Sequence, residues 1–330
     1  MRQTVFVTRR IPDAGLKLLK ADKRVKVVVH PSEKAITPRD LLAGAKSADV
    51  ILSILTDKID DKLFAAAPRV KMVANYAVGF DNIDLDAAAK RGVVVTNAPS
   101  PDISESVAEH TIALLFTLAH RIVESDTFTR AGKYHGWGPE LLLGTDVWKK
   151  TLGVVGLGAI GSAVVKRMHD GFGMKILYTS PNRNSELEKE TGAEHRELDA
   201  LLKESDFVSL HVPLTQQTHH LIGAKQLKMM KKTAFIINTA RGPVIDEKAL
   251  VSALLAGRIA GAGLDVYECE PMIACNPKDI AILRSLPNVI LTPHTASATV
   301  ETRQTMSRVA AENILAFLDG KTPPNAVKPL

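Results

Sequence analysis

Over the first hundred residues, short continuous apolar runs alternate with amphipathic stretches. Thr4–Thr8, Val25–His30, Asp49–Leu55, Val70–Asn75 and Val93–Asn97 read as buried strands, and Ala14–Ala21 and Pro38–Ala45 between them carry helical spacing. A strand covered on both faces needs an unbroken apolar run, so this alternation predicts a parallel sheet flanked by helices. A long helix from about Pro101 to His120 follows, with Asp102 and Ser104 as candidate caps. The stretch Thr129 to Asp146 is less regular and contains Gly132, Gly136-Trp137-Gly138-Pro139 and Gly144. A second alternating series begins near Lys150, with strands at Thr151–Val155, Lys175–Thr179, Phe207–Val212, Ala234–Thr239, Gly263–Tyr267 and Val289–Thr292. A final helix, Ala298 to Asp319, is expected to have no strand after it, and the tail that follows reads as loop.

The second series opens on Val155-Gly156-Leu157-Gly158-Ala159-Ile160-Gly161, a Gly-x-Gly-x-x-Gly turn between a strand and a helix. The first glycine permits the tight turn, the second lets a pyrophosphate approach the backbone, and the third allows close helix–strand packing. Phosphates then sit at the positive end of the helix. Glycine-rich turns also arise structurally, but the strand-to-helix setting favours dinucleotide binding. The turn lies mid-chain, so the chain is expected to cross between domains twice. The expected fold is α/β with two Rossmann-like domains: a doubly wound NAD(P)-binding domain, residues 99–295, inserted in a flavodoxin-like substrate domain, residues 1–98 and 296–330.

Composition narrows the function classes. The 330 residues are 45% hydrophobic and 24% charged, enough apolar material for two cores. The net charge of +6 is spread along the chain without a basic block, which suits small anions and argues against nucleic acid. Cys269 and Cys275 match no zinc spacing and are expected to be unligated thiols in a reducing compartment. No apolar run reaches the roughly 18 residues of a membrane span, and Met1 leads directly into a strand without a signal-peptide core, so a cytoplasmic protein is expected. His219-His220 resembles a metal pair but follows a polar loop and is expected to be solvated.

The strand after the glycine turn bears on cofactor choice. An NAD site usually places Asp or Glu about 20 residues on, to bind the ribose 2′-hydroxyl. Here Ser180 holds that place, and Arg183 follows in the loop. The missing acid and the added base favour NADP(H), with NAD(H) as the lesser partner and Arg183 otherwise an ordinary loop residue.

Polar groups end three later strands: Asn238-Thr239-Ala240-Arg241-Gly242, Asp265-Val266-Tyr267-Glu268-Cys269-Glu270-Pro271 and Thr292-Pro293-His294. In an open parallel sheet, ligands sit outside the carboxyl ends of the strands. Arg241 can grip a carboxylate with two contacts, or lie on the surface. His294 can donate a proton, although a lone histidine is more often structural. Glu270 can fix the tautomer of His294, with Glu268 as a rival. Asp265 can bind cofactor, orient His294 or close the strand end.

These motifs, with Asn75-Tyr76-Ala77-Val78-Gly79-Phe80-Asp81-Asn82-Ile83-Asp84, give a chain that resembles the D-isomer-specific 2-hydroxyacid dehydrogenases along its whole length, most closely the glyoxylate/hydroxypyruvate reductases. The resemblance implies a catalytic set of Arg241, Glu270 and His294 and substrate binding by Val78, Gly79, Arg241 and His294. It also implies cofactor contacts at Gly156, Gly158, Ala159, Ile160, Gly161, Ser180, Arg183, Pro213, Thr239, Ala240 and Asp265. It further implies reduction of glyoxylate or hydroxypyruvate by NADPH without a metal, and a homodimer formed through the cofactor domain. Trp137 then either reaches the partner's active site or anchors the interface or its own loop. Two departures stand out: Thr295-Ala296-Ser297 replaces the usual Ile-Gly after the histidine, and a longer segment at Cys275–Lys278 precedes the last strand. Reductases of larger 2-keto acids such as 2-ketogluconate are an alternative. So are phosphite dehydrogenases, although these carry a lysine where this chain has Val78. A corepressor of the same fold is disfavoured by the short termini.

Overall fold

A computed structural model describes residues 2–270 and 277–327. The chain divides into two compact units, Met1–Ile103 with Ala298–Leu330, and Ser104–Ser297.

The first unit contains β1 (Gln3–Val7), β2 (Val25–Val29), β3 (Val50–Ile54), β4 (Met72–Tyr76) and β5 (Val94–Thr96), all parallel and ordered 2-1-3-4-5. That is a flavodoxin-like order, in the parallel sheet that the alternating pattern anticipated. Val5, Val7, Ile51, Leu52, Met72 and Val73 are fully buried, because helices cover both faces. One expectation fails: a short strand, Ala326–Val327, follows the last helix and pairs antiparallel with β5 through Ala326↔Thr96 and Val327↔Val95. Two residues at a sheet edge leave no periodic signal to read. Within this unit, helix Asp13–Ala21 packs closely on helix Val300–Leu318. A Cβ at Gly15 would lie 1.9 Å from the Ser307 carbonyl oxygen. Ser307 is itself fixed, accepting from Gly15 N (3.0 Å) and donating to Pro12 O (2.6 Å). Gly15→Ala is therefore expected to cost about 1–3 kcal/mol through overpacking, read as a lower calorimetric Tm. An unchanged Tm would show that the helices separate cheaply.

The second unit contains β6 (Thr151–Val155), β7 (Lys175–Thr179), β8 (Glu194–His195), β9 (Phe207–Leu210), β10 (Phe235–Asn238), β11 (Gly261–Leu264) and β12 (Val289–Leu291), in the order β12-β11-β10-β9-β6-β7-β8. All pairings are parallel, and the order reverses between β6 and β9. This is the doubly wound Rossmann arrangement, with its ligand crevice at the reversal. Side-chain alternation sends Leu152, Val154, Ile176 and Tyr178 into one core and Val155, Leu177, Val208 and Leu210 into the other. Both faces are apolar, which explains the continuous runs. Helix Pro101–Ala119 is followed by a turn at Arg121, which adopts φ 53° and caps a second helix, Ile122–Arg130. The expected caps Asp102 and Ser104 lie inside the first helix; Ser100 Oγ accepts from Ile103 N instead, at 3.4 Å, while Asp102 accepts from Thr305 Oγ1. Among the described residues no helix is long and apolar enough to cross a membrane.

Candidate active site

The carboxyl ends of β10, β11 and β12 carry the candidate chemistry. After β10 the chain turns tightly, with Asn238 Nδ2 donating to Arg241 O (2.9 Å) and Ala240 N donating to Asn238 Oδ1 (3.0 Å). This presents Arg241, whose Nη1 donates to Ala240 O at 2.7 Å. Gly242 lies against the chain leaving β11: a Cβ there would meet Tyr267 O at 1.7 Å. The two strand ends are thus in backbone contact, and only glycine permits it.

Beyond β12, His294 Nδ1 lies 2.7 Å from Glu270 Oε2. A carboxylate only accepts, so Nδ1 carries the proton and Nε2 is presented for chemistry. His294 adopts φ 55°, the left-handed region. That conformation is uncommon for a non-glycine residue and persists only where its surroundings enforce it. Asp265 supplies the enforcement. Its backbone oxygen accepts from His294 N (2.9 Å), and its carboxylate accepts from Thr295 N and Ala296 N, both at 2.8 Å, and from Thr292 Oγ1 at 2.6 Å. Burial raises the Asp265 carboxyl, but hydrogen bonds from His110, Thr292, Thr295 and Ala296 outweigh it and hold the group below the usual carboxylate range. Tyr267 adds a strut, donating from its hydroxyl to Thr292 O at 2.9 Å. Burial, with the charges of Asp265 and Glu270, pushes that phenol up to about 12, so it stays a donor.

Glu268 is turned elsewhere. It accepts from Glu247 N (3.1 Å) and pairs with His220 Nε2 at 2.7 Å, while Glu268 N donates to Glu247 Oε2. This leaves Glu270 as the carboxylate beside His294. Of the expected solvated His219-His220 pair, His219 is exposed, while His220 is half-buried and hydrogen-bonded through Nε2 to Glu268 Oε1, with the two ring centroids 4.0 Å apart. Among the described residues no cluster of three metal-ligating side chains forms.

Comparison with known proteins fits this geometry. The family profile for "D-isomer specific 2-hydroxyacid dehydrogenase, NAD binding domain" matches residues 112–296. A glyoxylate reductase of Korarchaeum cryptofilum is 48% identical over 99% of this chain and 96% of its own length. The chain belongs to the D-isomer specific 2-hydroxyacid dehydrogenases. It is an oxidoreductase that uses a nicotinamide cofactor. Among solved structures it is similar to a D-lactate dehydrogenase of Aquifex aeolicus in complex with NAD and lactic acid. That match has a TM-score of 0.86 at 34% identity, covering 99% of this chain and 100% of the other. It is likewise similar to an NADPH-dependent glyoxylate/hydroxypyruvate reductase of Sinorhizobium meliloti, with a TM-score of 0.82 at 31% identity, covering 99% of this chain and 98% of the other.

The glycine turn of this dehydrogenase fits a dinucleotide. Gly156 has φ 96°, and a Cβ there would meet His211 O at 2.7 Å. A Cβ at Gly161 would lie 2.2 Å from Gly156 O, so the helix seats directly on the turn. At Gly158 a Cβ would meet no protein atom within 4 Å. Gly158 is the N-cap of the 14-residue helix Ala159–Phe172 and makes no side-chain cap, which leaves the first N–H groups, those of Ala159, Ile160 and Gly161, without a capping side chain. Open space, donors and dipole coincide where a pyrophosphate needs them.

The other expected cofactor positions have defined partners. Pro213 O accepts from Thr218 Oγ1, and Thr239 Oγ1 is 2.8 Å from Thr111 Oγ1. At the end of β7, Ser180 O lies 3.4 Å from His195 Nε2. Arg183 is paired with Glu188 through Nη2 (2.7 Å) and Nε (3.0 Å), and the Tyr178 hydroxyl also bonds Glu188. In the first unit the loop after β4 turns its carbonyls inward: Asn97 Nδ2 donates to Val78 O (2.7 Å) and Asn75 Nδ2 to Gly79 O (2.9 Å). Among the described residues the amides of Val78 and Gly79 have no acceptor.

One expectation about the cysteines is overturned: Cys269 is disulfide-bonded. Cys275, the only other cysteine, and its neighbour Asn276 lie outside the described residues. A six-residue spacing between two cysteines carries no recognisable disulfide signature in the sequence. His110, Thr292 and Tyr267 escaped the sequence reading as well. Their roles depend on contacts such as His110–Thr292, across 182 residues, that no local pattern reveals.

Proposed function

We propose that this enzyme reduces glyoxylate and hydroxypyruvate to glycolate and D-glycerate with NADPH. The observation that carries the reading is the His294–Glu270 pair at 2.7 Å, held at the same strand ends as Arg241. Arg241 grips the substrate carboxylate and polarises the keto oxygen, and the Val78 and Gly79 amides hold the carboxylate. The nicotinamide, when bound, supplies a hydride to the keto carbon. As the carbonyl π pair moves onto oxygen, His294 Nε2 gives its proton to that oxygen and Glu270 steadies the charged imidazole through Nδ1–H. A panel of 2-keto acids with both cofactors tests this. Turnover confined to larger acids such as 2-ketogluconate would replace the substrate assignment.

Cofactor choice rests on the end of β7. No carboxylate stands at Ser180 to repel a 2′-phosphate. Glu188 holds Arg183 by Nε and one terminal nitrogen, which fixes the fork and leaves its other edge for the phosphate. Arg183→Ala is expected to raise the KM for NADPH about tenfold, the worth of one charge-assisted contact, with little change for NADH. A higher kcat/KM for NADH than for NADPH in the unaltered enzyme would sink the preference.

A homodimer through the second unit is part of the same reading. Of the twelve exposed large apolar side chains among the described residues, seven (Ile122, Val123, Tyr134, Trp137, Leu141, Leu143 and Trp148) fall between residues 122 and 148. Such clustering marks an association surface, and Trp137, 82% exposed, is its most prominent member.

A further inference from the structure

His110 sits in the middle of helix Pro101–Ala119 and belongs to neither the glycine turn nor the catalytic set. Its position follows from simple packing. Leu114 and Leu118 lie four and eight residues on, along the same helical stripe. They press on β11 where it is thinnest: a Cβ at Gly263 would meet Leu118 Cδ1 at 3.2 Å and Leu114 Cβ at 3.3 Å. One turn back along the helix is about 6 Å, and two residues onward along a strand is also about 6 Å. The step from Leu114 to His110 therefore matches the step from Gly263 to Asp265, which points to the same side of the sheet.

At that place His110 Nε2 lies 3.0 Å from Thr292 Oγ1 and 3.5 Å from Asp265 Oδ1. The hydroxyl of Thr292 has a single proton, and the 2.6 Å contact with the Asp265 carboxylate, which can only accept, uses it. His110 Nε2 must then be the donor to Thr292. The result is a chain of donors ending on one carboxylate that holds Thr292 just before the left-handed turn at His294 and the amides of Thr295 and Ala296 just after it.

We propose that His110 is a positioning residue for the proton donor, fixing the turn that carries His294 through the Thr292 hydroxyl and the Asp265 carboxylate. The proposal rests on His294 being the proton donor. Removing the His110 donor leaves Thr292 and Asp265 free to rotate their bonds, and the strained turn relaxes. His294 then loses its aim while Arg241 and the glycine turn keep theirs.

The test compares His110→Phe, which keeps a flat ring without a donor, with His110→Gln, which keeps an N–H donor. Kinetics use NADPH and glyoxylate over a pH series, with cofactor affinity measured separately by fluorescence. His110→Phe is expected to lower kcat about 10–100-fold, as supporting hydrogen bonds to a reactive histidine commonly do, with NADPH affinity and substrate KM within about threefold. The pH dependence of kcat is expected to move, and His110→Gln to recover activity to within about threefold of the unaltered enzyme. If His110→Phe fails to fold, Thr292→Val, which breaks the same chain at its next link, must show the kcat loss. The proposal is overturned if His110→Phe keeps its kcat and pH profile, if Thr292→Val does, or if Phe and Gln lose activity equally with the profile unmoved. Should His294→Ala remain active, the reading of the donor itself falls, and that outcome is separate from the behaviour of His110.

Discussion

His294→Ala is expected to lower kcat by about 10³–10⁴-fold while leaving NADPH affinity within a few-fold, because general acid catalysis contributes on the order of 10²–10⁴ and none of the described residues replaces it as proton donor. The candidate substitutes are accounted for. Tyr267 donates its hydroxyl to Thr292 O and is pushed up to about 12. His220 is paired with Glu268, and His110 donates to Thr292. Without an imidazole the developing alkoxide must take its proton from water. Arg241 and the glycine turn are untouched, so substrate and cofactor should still bind, and the loss should fall on kcat and kcat/KM together. Glu270→Gln probes the same step more gently. A neutral amide still accepts from Nδ1–H but no longer offsets the charge on the ring, so an intermediate loss is expected, of about 10–100-fold. Single-turnover hydride transfer, followed by the loss of NADPH absorbance, checks both. A His294→Ala enzyme within tenfold of the parent would remove His294 from the chemistry.

What the chain discloses about itself depends on how local the constraint is. β6, its glycine turn and the following helix are legible because both faces of the strand are apolar and two backbone positions, Gly156 and Gly161, leave no room for a Cβ, while Gly158 between them faces open space. The ends of β10, β11 and β12 are legible because a polar residue after an apolar run has one place to go, the carboxyl edge of a parallel sheet. Choosing Glu270 over Glu268 is not local: it is decided by Glu247 and His220, which engage Glu268 from 21 and 48 residues away. The same holds for the grip of Asp265 on the turn at His294, which emerges only when Thr292, Thr295 and Ala296 come into range. Arg183 illustrates a different limit. Its partner Glu188 is five residues on, a spacing that matches no helical pair, because Asn184 caps the helix between them and redirects the chain. The short strands β8 and Ala326–Val327 have two residues each, too few for any period to show.

Gly242→Ala is the second substitution expected to have a large effect, and it acts by geometry alone. The added methyl would lie 1.7 Å from Tyr267 O, 1.8 Å from Tyr267 C and 2.4 Å from Glu268 N. These are backbone atoms, so no side chain can swing aside, and one of the two strand ends must retreat by more than 1 Å to restore ordinary contact. Neither is loose. The turn before Gly242 is pinned by Asn238 to Arg241 O, and the segment after β11 is pinned by Tyr267 to Thr292 and by Glu268 to Glu247. Whichever moves, Arg241 shifts relative to Glu270 and His294. A displacement of about 1 Å at a reacting centre can cost 10²-fold, so kcat/KM is expected to fall by at least that, with about 1–3 kcal/mol of stability lost to overpacking. Gly171→Ala is the control: a Cβ there meets nothing within 4 Å, so activity and Tm should hold. Steady-state kinetics and thermal unfolding of the two variants side by side decide the matter. If Gly242→Ala keeps both its kcat/KM and its Tm, the two strand ends are not in the rigid contact that sets Arg241 relative to Glu270 and His294.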